Sequence, residues 1–328
     1  MKEIIFSAMR PTGAMHLGNY FGALENWVKL QNDYDCYFAV ADWHALTTGY
    51  EDTDAIKGNI KEMIIDWLSA GLDPDKCTMF VQSSVKEHAE LHLLLSMITP
   101  LSWLLRCPTY KEQISQMSDK NITTYGFLGY PCLQTADILL YNTNCVPVGE
   151  DQLPHIELAR EIARRFNYIY GETFREPQSL LTKAKVLPGL DGRKMSKSYN
   201  NTIALSDSQE TVVKKVRTMI TDPARIKKDD KGHPDICTVF TYHKMFSSEE
   251  EVKEIEECCK QGKIGCVACK KKLAENVIKY LEPMYIKRQE ILKTPDIIDD
   301  ILHNGQKKAQ NIASKNLKMI KEAMKLNY

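Results

Sequence analysis

Short apolar runs alternate with longer amphipathic stretches through the first half of the chain. "EIIFSAM" (3–9), "DCYFAVAD" (35–42), "CTMFVQS" (77–83) and "CVPVG" (145–149) have the length and residue types of buried strands. Between them, "DTDAIKGNIKEMIIDWLSAG" (52–71) has helical spacing, with aspartates in its cap region and Gly71 at its end. "HIELAREIARRFNYI" (155–169) is a second amphipathic helix, directly after a strand. Strand and helix in alternation predict an α/β fold with a doubly wound parallel sheet, whose ligands sit at the carboxyl ends of the strands. After about residue 205 strand-like runs become scarce. "SDSQETVVKKVRTMIT" (206–221), "SSEEEVKEIEECCK" (247–260), "CKKKLAENVIKYLEPMYIKRQEIL" (269–292) and "AQNIASKNLKMIKEAMKL" (309–326) all read as helices. The pattern therefore predicts an α/β domain over 1–200 and an all-helical one over 201–328.

Composition adds little to this picture, but charge and cysteine placement do. At 43% apolar and 26% charged residues, the 328-residue chain has the makeup of a globular protein with a sizeable core. Its 43 basic and 43 acidic residues cancel, which excludes a uniformly polybasic nucleic-acid binder. Basic residues nevertheless gather late, in "VKKVRTM", "RIKK" and "CKKK", so a localised contact with phosphates is open beside the plainer reading of solvated helix faces. "MKEIIFSAM" is too short an apolar run for a secretion signal, and no run of about 18 apolar residues follows. A cytoplasmic protein without a membrane span is expected, with its ten cysteines unpaired. Cys36, Cys77, Cys107, Cys132 and Cys145 lie among apolar neighbours and are expected to be buried.

Two stretches carry the chemistry. In "RPTGAMHLGNY" (10–20), Pro11 and Gly13 turn the chain after the first strand, and helical spacing begins at His16. His16 and Asn19 then lie on one side of a first helical turn, where free backbone N–H groups favour an anion and Gly18 allows close approach. Alternatively, the two side chains merely cap the helix. In "DGRKMSKSYNN" (191–201), Lys194 and Lys197 are either solvated charges or a pair aimed at something anionic. A third stretch, "GYPCLQTADILLY" (129–141), places Tyr130, Gln134 and Asp137 at i, i+4 and i+7 on one helix face. A buried Asp137 carboxylate could accept from an indole N–H or from a phenol.

"PTGAMHLGN" followed far downstream by "KMSKS" resembles the paired signature of class I aminoacyl-tRNA synthetases, with asparagine in place of the usual second histidine. "NYFGALENWVKLQ", "ADWHALTT" and "YPCLQTADILLYNTNCVPVGEDQLPHIELAREIARRFN" are similar to the bacterial-type tryptophan–tRNA ligases of that class. The resemblance implies a Rossmann-type catalytic domain, a helical anticodon-recognition domain and a homodimer. It implies that Mg2+-bound ATP activates L-tryptophan, which then passes to tRNA(Trp). His16, Asn19, Lys194 and Lys197 would carry the catalysis. Arg10, Pro11, Thr12, Gly18, Lys111, Gly149, Glu150, Asp151, Val186, Met195, Ser196 and Ser198 would join them in holding ATP. Asp137 would take the indole N–H, with Phe6, Val146 and Val148 as walls and Tyr130, Gln134, Gln152 and His44 completing the tryptophan site. The tyrosine enzymes share much of this layout, and a catalytically silent RNA-binding relative is the alternative from another class.

Cys237, Cys259, Cys266 and Cys269 are spaced so that four thiolates could converge, with Cys258 adjacent to one of them. Four cysteines in a reducing compartment fit zinc, an iron–sulfur cluster or free thiols. Some bacterial tryptophan enzymes carry a [4Fe–4S] cluster on a similar pattern, and the resemblance favours that reading over Zn2+. Lys270, Lys271 and Lys272 adjoin the motif and would offer a tRNA-facing charge.

Overall fold

The structure is a computed structural model that describes residues 2–108, 110–111, 114, 123–181, 187–227 and 229–326. The four expected strands are present as β1 (Ile4–Met9), β2 (Asp35–Val40), β3 (Cys77–Val81) and β4 (Cys145–Val148). A fifth, β5 (Gln178–Leu181), was not legible in the sequence, because its residues are mostly exposed and lack an apolar pattern. All neighbours are parallel, in the order β3-β2-β1-β4-β5. Side chains alternate across the sheet: Cys36, Phe38 and Val40 enter one core, and Tyr37 and Ala39 the other. Helices cover both faces, as the near-continuous apolar strands require.

The register opens a crevice. β1 pairs with β2 along its whole length, from Ile4↔Asp35 to Met9↔Val40, yet meets β4 only at Ile5↔Cys145. Beyond that pair the two strands part, and Pro147 has no N–H to offer a ladder. Strand order also reverses between β1 and β4, which is where ligands bind in open parallel sheets.

The helix Ile56–Ala70 ends as expected at Gly71, with φ of 113° and its N–H bonded to Leu68 O. Its N-cap is Ala55, so Asp52 and Asp54 lie in the preceding turn and do not cap it. Serine caps do start Gln209–Thr218 (Ser208) and Glu249–Lys260 (Ser248). The buried-thiol expectation holds for Cys36, Cys77, Cys107 and Cys132, while Cys145 is half-buried. Among the described residues no helix is long and apolar enough to cross a membrane.

The helices after residue 205 do not all stay apart from the sheet. The last, Asp296–Ala323, lies along the outer edge of β3 so closely that a Cβ on Gly305 would stand 1.8 Å from the Met79 carbonyl oxygen. Gln306 Nε2 bonds Ser84 O at 3.0 Å, and Asn316 Nδ2 bonds Leu140 O at 2.8 Å. This helix covers an edge strand that would otherwise present unpaired backbone groups. Gly305→Ala forces helix and strand apart and is expected to lower stability by about 1–3 kcal/mol. A urea titration followed by circular dichroism reads the shift; an unchanged midpoint would contradict so tight a backbone contact.

Candidate active site

β1 delivers the chain to the first wall of the crevice. After the turn at Gly13 (φ 92°), His16 caps the short helix Leu17–Asn19, and its Nδ1 accepts from Asn19 N at 3.2 Å. Asn19 Oδ1 accepts in return from His16 N, also at 3.2 Å. The capping alternative raised by the sequence is thus realised, and it leaves the His16 Nε2–H and the Asn19 NH2 as the donors available to a ligand. Burial, and then the charge of Lys197, bring the His16 pKa down to about 4, so the ring is neutral near pH 7. A π-helical turn, Tyr20–Leu24, follows and places Gly22 and Ala23 on the cleft.

The "KMSKS" loop reaches this wall from the far side of the sequence. Lys197 Nζ donates to Thr12 O at 2.7 Å, and Gly18 N lies 3.2 Å from Met195 Sδ. Leu17 N bonds Ile203 O, and Leu205 N bonds Met15 O, so the loop's return strand runs beside the helix start. Partial burial lowers the pKa of the Lys197 ammonium, and Asp66 opposes that shift. Lys194 is exposed and also borders the cleft. Buried Asn201 holds the loop's shape: its amide nitrogen donates to Asp191 Oδ1 and Lys194 O, and its oxygen accepts from Ser196 N. Arg193 stacks over the Tyr199 ring at 4.4 Å.

Asp66 ties the two walls to the helical half. It accepts from Met15 N at 2.7 Å and from Arg288 of the helix Cys266–Ile291 at 2.6 Å, with no exposure. An acid inside the apolar run "MIIDWL" was the available sequence sign, and it was missed.

The cleft between these parts has a volume of about 1160 Å3. Arg10, Thr12, His16, Gly18 and Asn19 line one end together with Lys194, Met195, Ser196, Lys197 and Ser198. Gly149, Asp151 and Gln152 border it just beyond β4, and Phe6, Val146 and Val148 come from the parted strands. Tyr130, Gln134, Asp137 and His44 line the deep end. Three of the named residues do not line it: Pro11 is buried in the turn, and exposed Glu150 and Lys111 are not among the side chains that border the cleft. Val186 lies outside the described residues.

Asp137 is buried as expected, at 1% exposure, and is more heavily partnered than the sequence suggested. His44 Nε2 stands 2.8 Å from Oδ2, His88 Nδ1 2.7 Å from Oδ1, and Gln82 Nε2 2.8 and 2.9 Å from the two oxygens. Burial works against its charge, but the hydrogen bonds from His44 and His88 outweigh it and hold the carboxyl well below the usual range. Gln82 and His88 were not read from the sequence. Gln82 directly follows β3 at the carboxyl edge of the sheet, which was the sign that could have found it. Nearby, the Tyr130 hydroxyl lies 3.4 Å from His155 Nε2, and burial brings the His155 pKa down to about 4.

The cysteines of the helical half form a separate group. Burial pushes the Cys269 thiol up to about 12, and the proximity of Cys237, Cys259 and Cys266 adds to the shift. Arg225 Nη1 lies 3.9 Å from both Cys259 Sγ and Cys266 Sγ, and a Cβ on Gly232 would meet Cys259 Sγ at 2.5 Å. Cys259 is thus the member of the adjacent pair that faces the others. Among the described residues no three His, Cys, Asp or Glu side chains form a ready-made site for one metal ion.

Residues 2–282 match the family model described as tRNA synthetases class I (W and Y). The chain belongs to that family. A tryptophan–tRNA ligase of Thermotoga maritima is 50% identical over 99% of both chains, and one of Aquifex aeolicus is 46% identical over 98% of this chain and 99% of its own. The solved tryptophanyl-tRNA synthetase of Campylobacter jejuni, complexed with ADP and tryptophan, is 35% identical and superposes with a TM-score of 0.89 over 98% of this chain and all of its own.

The depressed histidines make stability fall with acid. For a folded-state pKa near 4 against an unfolded value near 6.5, the unfolded chain binds more protons between those limits. The contribution of these two histidines is complete above about pH 6.5 and is withdrawn as pH falls toward 4, while buried Asp66, raised to about 6, works in the opposite sense. Urea titrations across that window are expected to show the decline, and His16→Gln is expected to flatten part of it, with His155 supplying the rest. An unchanged slope in the variant would refute neutral His16.

Proposed function

We propose that the chain is a tryptophan–tRNA ligase that works in two steps in this cleft. The observation that carries the reading is one cavity with cationic loop and helix start at one end and a buried, ionised carboxylate at the other. A carboxylate oxygen of tryptophan attacks the α-phosphorus of ATP, the bond to the bridging oxygen of the β-phosphate breaks, and pyrophosphate leaves. The terminal adenosine hydroxyl of tRNA(Trp) then attacks the activated carbonyl carbon, and AMP leaves. Neither step needs a protein nucleophile; positioning and charge stabilisation supply the rate.

Lys194 and Lys197, with Arg10, neutralise the phosphates as charge builds on the leaving pyrophosphate, while His16 Nε2–H and the Asn19 side-chain NH2 donate to them. Mg2+ accompanies the ATP. Gly149, Asp151 and Gln152 border the nucleoside and the polar end of the amino acid, and Phe6, Val146 and Val148 wall the indole, whose N–H goes to Asp137. Because phenylalanine would leave that acceptor unpaired, selection against it needs no editing domain.

Residues 1–200 then serve activation, and the anticodon is read within 201–328, where Lys271 is exposed beside the cysteine group, between Lys270 on Arg217 O and Lys272 paired with Glu254. The sequence spacing of Cys237, Cys259, Cys266 and Cys269 supports a [4Fe–4S] cluster, as do the influence of the other three thiols on Cys269 and the approach of Arg225 to two of them. Such a cluster would brace the helical part, and a bound Zn2+ is the competing outcome. The protein acts in the cytoplasm as a homodimer, with exposed Leu93, Met97, Leu101 and Leu105 along consecutive helices as the apolar face for a second copy.

Pyrophosphate exchange with each aromatic amino acid in turn is expected to respond to tryptophan alone. Lys197→Ala is expected to slow adenylate formation about 10²–10³-fold with tryptophan binding nearly intact. Lost binding at unchanged turnover would refute its role. Iron and acid-labile sulfide, with visible absorption that Cys259→Ser abolishes, are expected in anaerobically purified protein; stoichiometric zinc would replace the cluster assignment.

A further inference from the structure

Among the described residues Asp137 has three donor side chains, and His44 is the one that borders the cleft. Gln82 and His88 act from the core, at 1% and 0% exposure. His88 has a second partner: its Nε2 lies 2.8 Å from the Tyr141 hydroxyl. The Tyr141 ring is fully buried and stacks on Phe6 at 5.4 Å and on Tyr37 at 5.0 Å. An ionised carboxylate only accepts, so His88 Nδ1 must carry a proton. A neutral ring then accepts at Nε2, where the Tyr141 hydroxyl donates. The chain Tyr141→His88→Asp137 therefore runs in one direction and fixes the imidazole tautomer.

A carboxylate has about four lone-pair sites. His88 and Gln82 hold the carboxylate from the core, and His44 meets Oδ2 from the cleft. Without His88 the group could rotate about its terminal torsion toward His44, and the Oδ2 lone pair that His44 now meets, and that an indole N–H would have to share or take over, would lose its aim. Tyr141 also stacks on Phe6, so one buried ring supports both the acceptor and a wall of the pocket.

We propose that His88, oriented by Tyr141, is a positioning residue that aims Asp137 at the cleft and thereby sets the preference for an amino acid whose bicyclic ring bears an N–H. The inference rests on the reading of Asp137 as indole acceptor. Its test must therefore separate aim from fold. Pyrophosphate exchange is measured with tryptophan and with its benzothiophene analogue, β-(3-benzothienyl)alanine, in which sulfur replaces the N–H.

His88→Leu is expected to raise the KM for tryptophan at least about tenfold, leave the KM for ATP unchanged, and shrink the tryptophan-to-analogue preference by a similar factor. His88→Asn, which keeps a donor near Asp137, is expected to restore most of that preference. Tyr141→Phe removes one oxygen and keeps the ring stack, and is expected to give a partial loss even if His88→Leu fails to fold. If these variants weaken both substrates equally, His88 only supports packing and the proposal is overturned. If Asp137→Asn leaves the preference intact, the acceptor reading itself fails, which is a separate result.

Discussion

The parting of β1 and β4 after a single paired position is the constraint on which the rest depends. A parallel sheet that stayed zipped there would have no place for a ligand. Because β1 is held on its other side by β2 along its full length, the opening falls wholly on the β4 side. Part of the cleft wall follows: Phe6 to Met9 from one strand, Val146 to Val148 from the other, and the turn to His16. The helical half is bonded to the turn after β1, through Arg288, Asp66 and Met15, rather than simply trailing after the sheet.

The two ends of the cleft solve opposite electrostatic problems. At the loop end the cleft carries positive charge, with Lys197 on a loop shaped by Asn201 and resting on Thr12 O. At the Asp137 end the protein holds a negative charge inside the core, with donors on three separate segments. A loop suits the first task and packed secondary structure the second. Neutral His16 belongs with the first: with its proton on Nε2, it offers a donor without adding to the cationic repulsion around Lys197.

Much of this was legible in the sequence because it rests on local rules. Strand length, the glycine after a helix and the serine caps are set by neighbours in the chain, and β1 to β4 and Gly71 appear where those rules put them. The spacing of Tyr130, Gln134 and Asp137 likewise delivered three groups to one cavity. β5 escaped because a short, exposed strand has no apolar period. Gln82, His88 and Tyr141 escaped because their roles exist only through Asp137, some 50 residues away for the first two. Pro11 and Glu150 stand beside cleft residues in the chain without lining the cleft, and neither does Lys111. The cap aspartates before Ile56 failed for the same reason, since the chain turns once more before the helix begins.

The helix Asp296–Ala323 has a consequence for how the molecule comes into being. It seals the margin of a sheet whose first strand is Ile4–Met9, so strands made early in this chain are covered by a helix made much later. During synthesis the β3 margin stays bare until Asp296–Ala323 has emerged, exposing a template for wrong partners. Deleting that one helix would therefore leave a folded protein in the condition of an unfinished one.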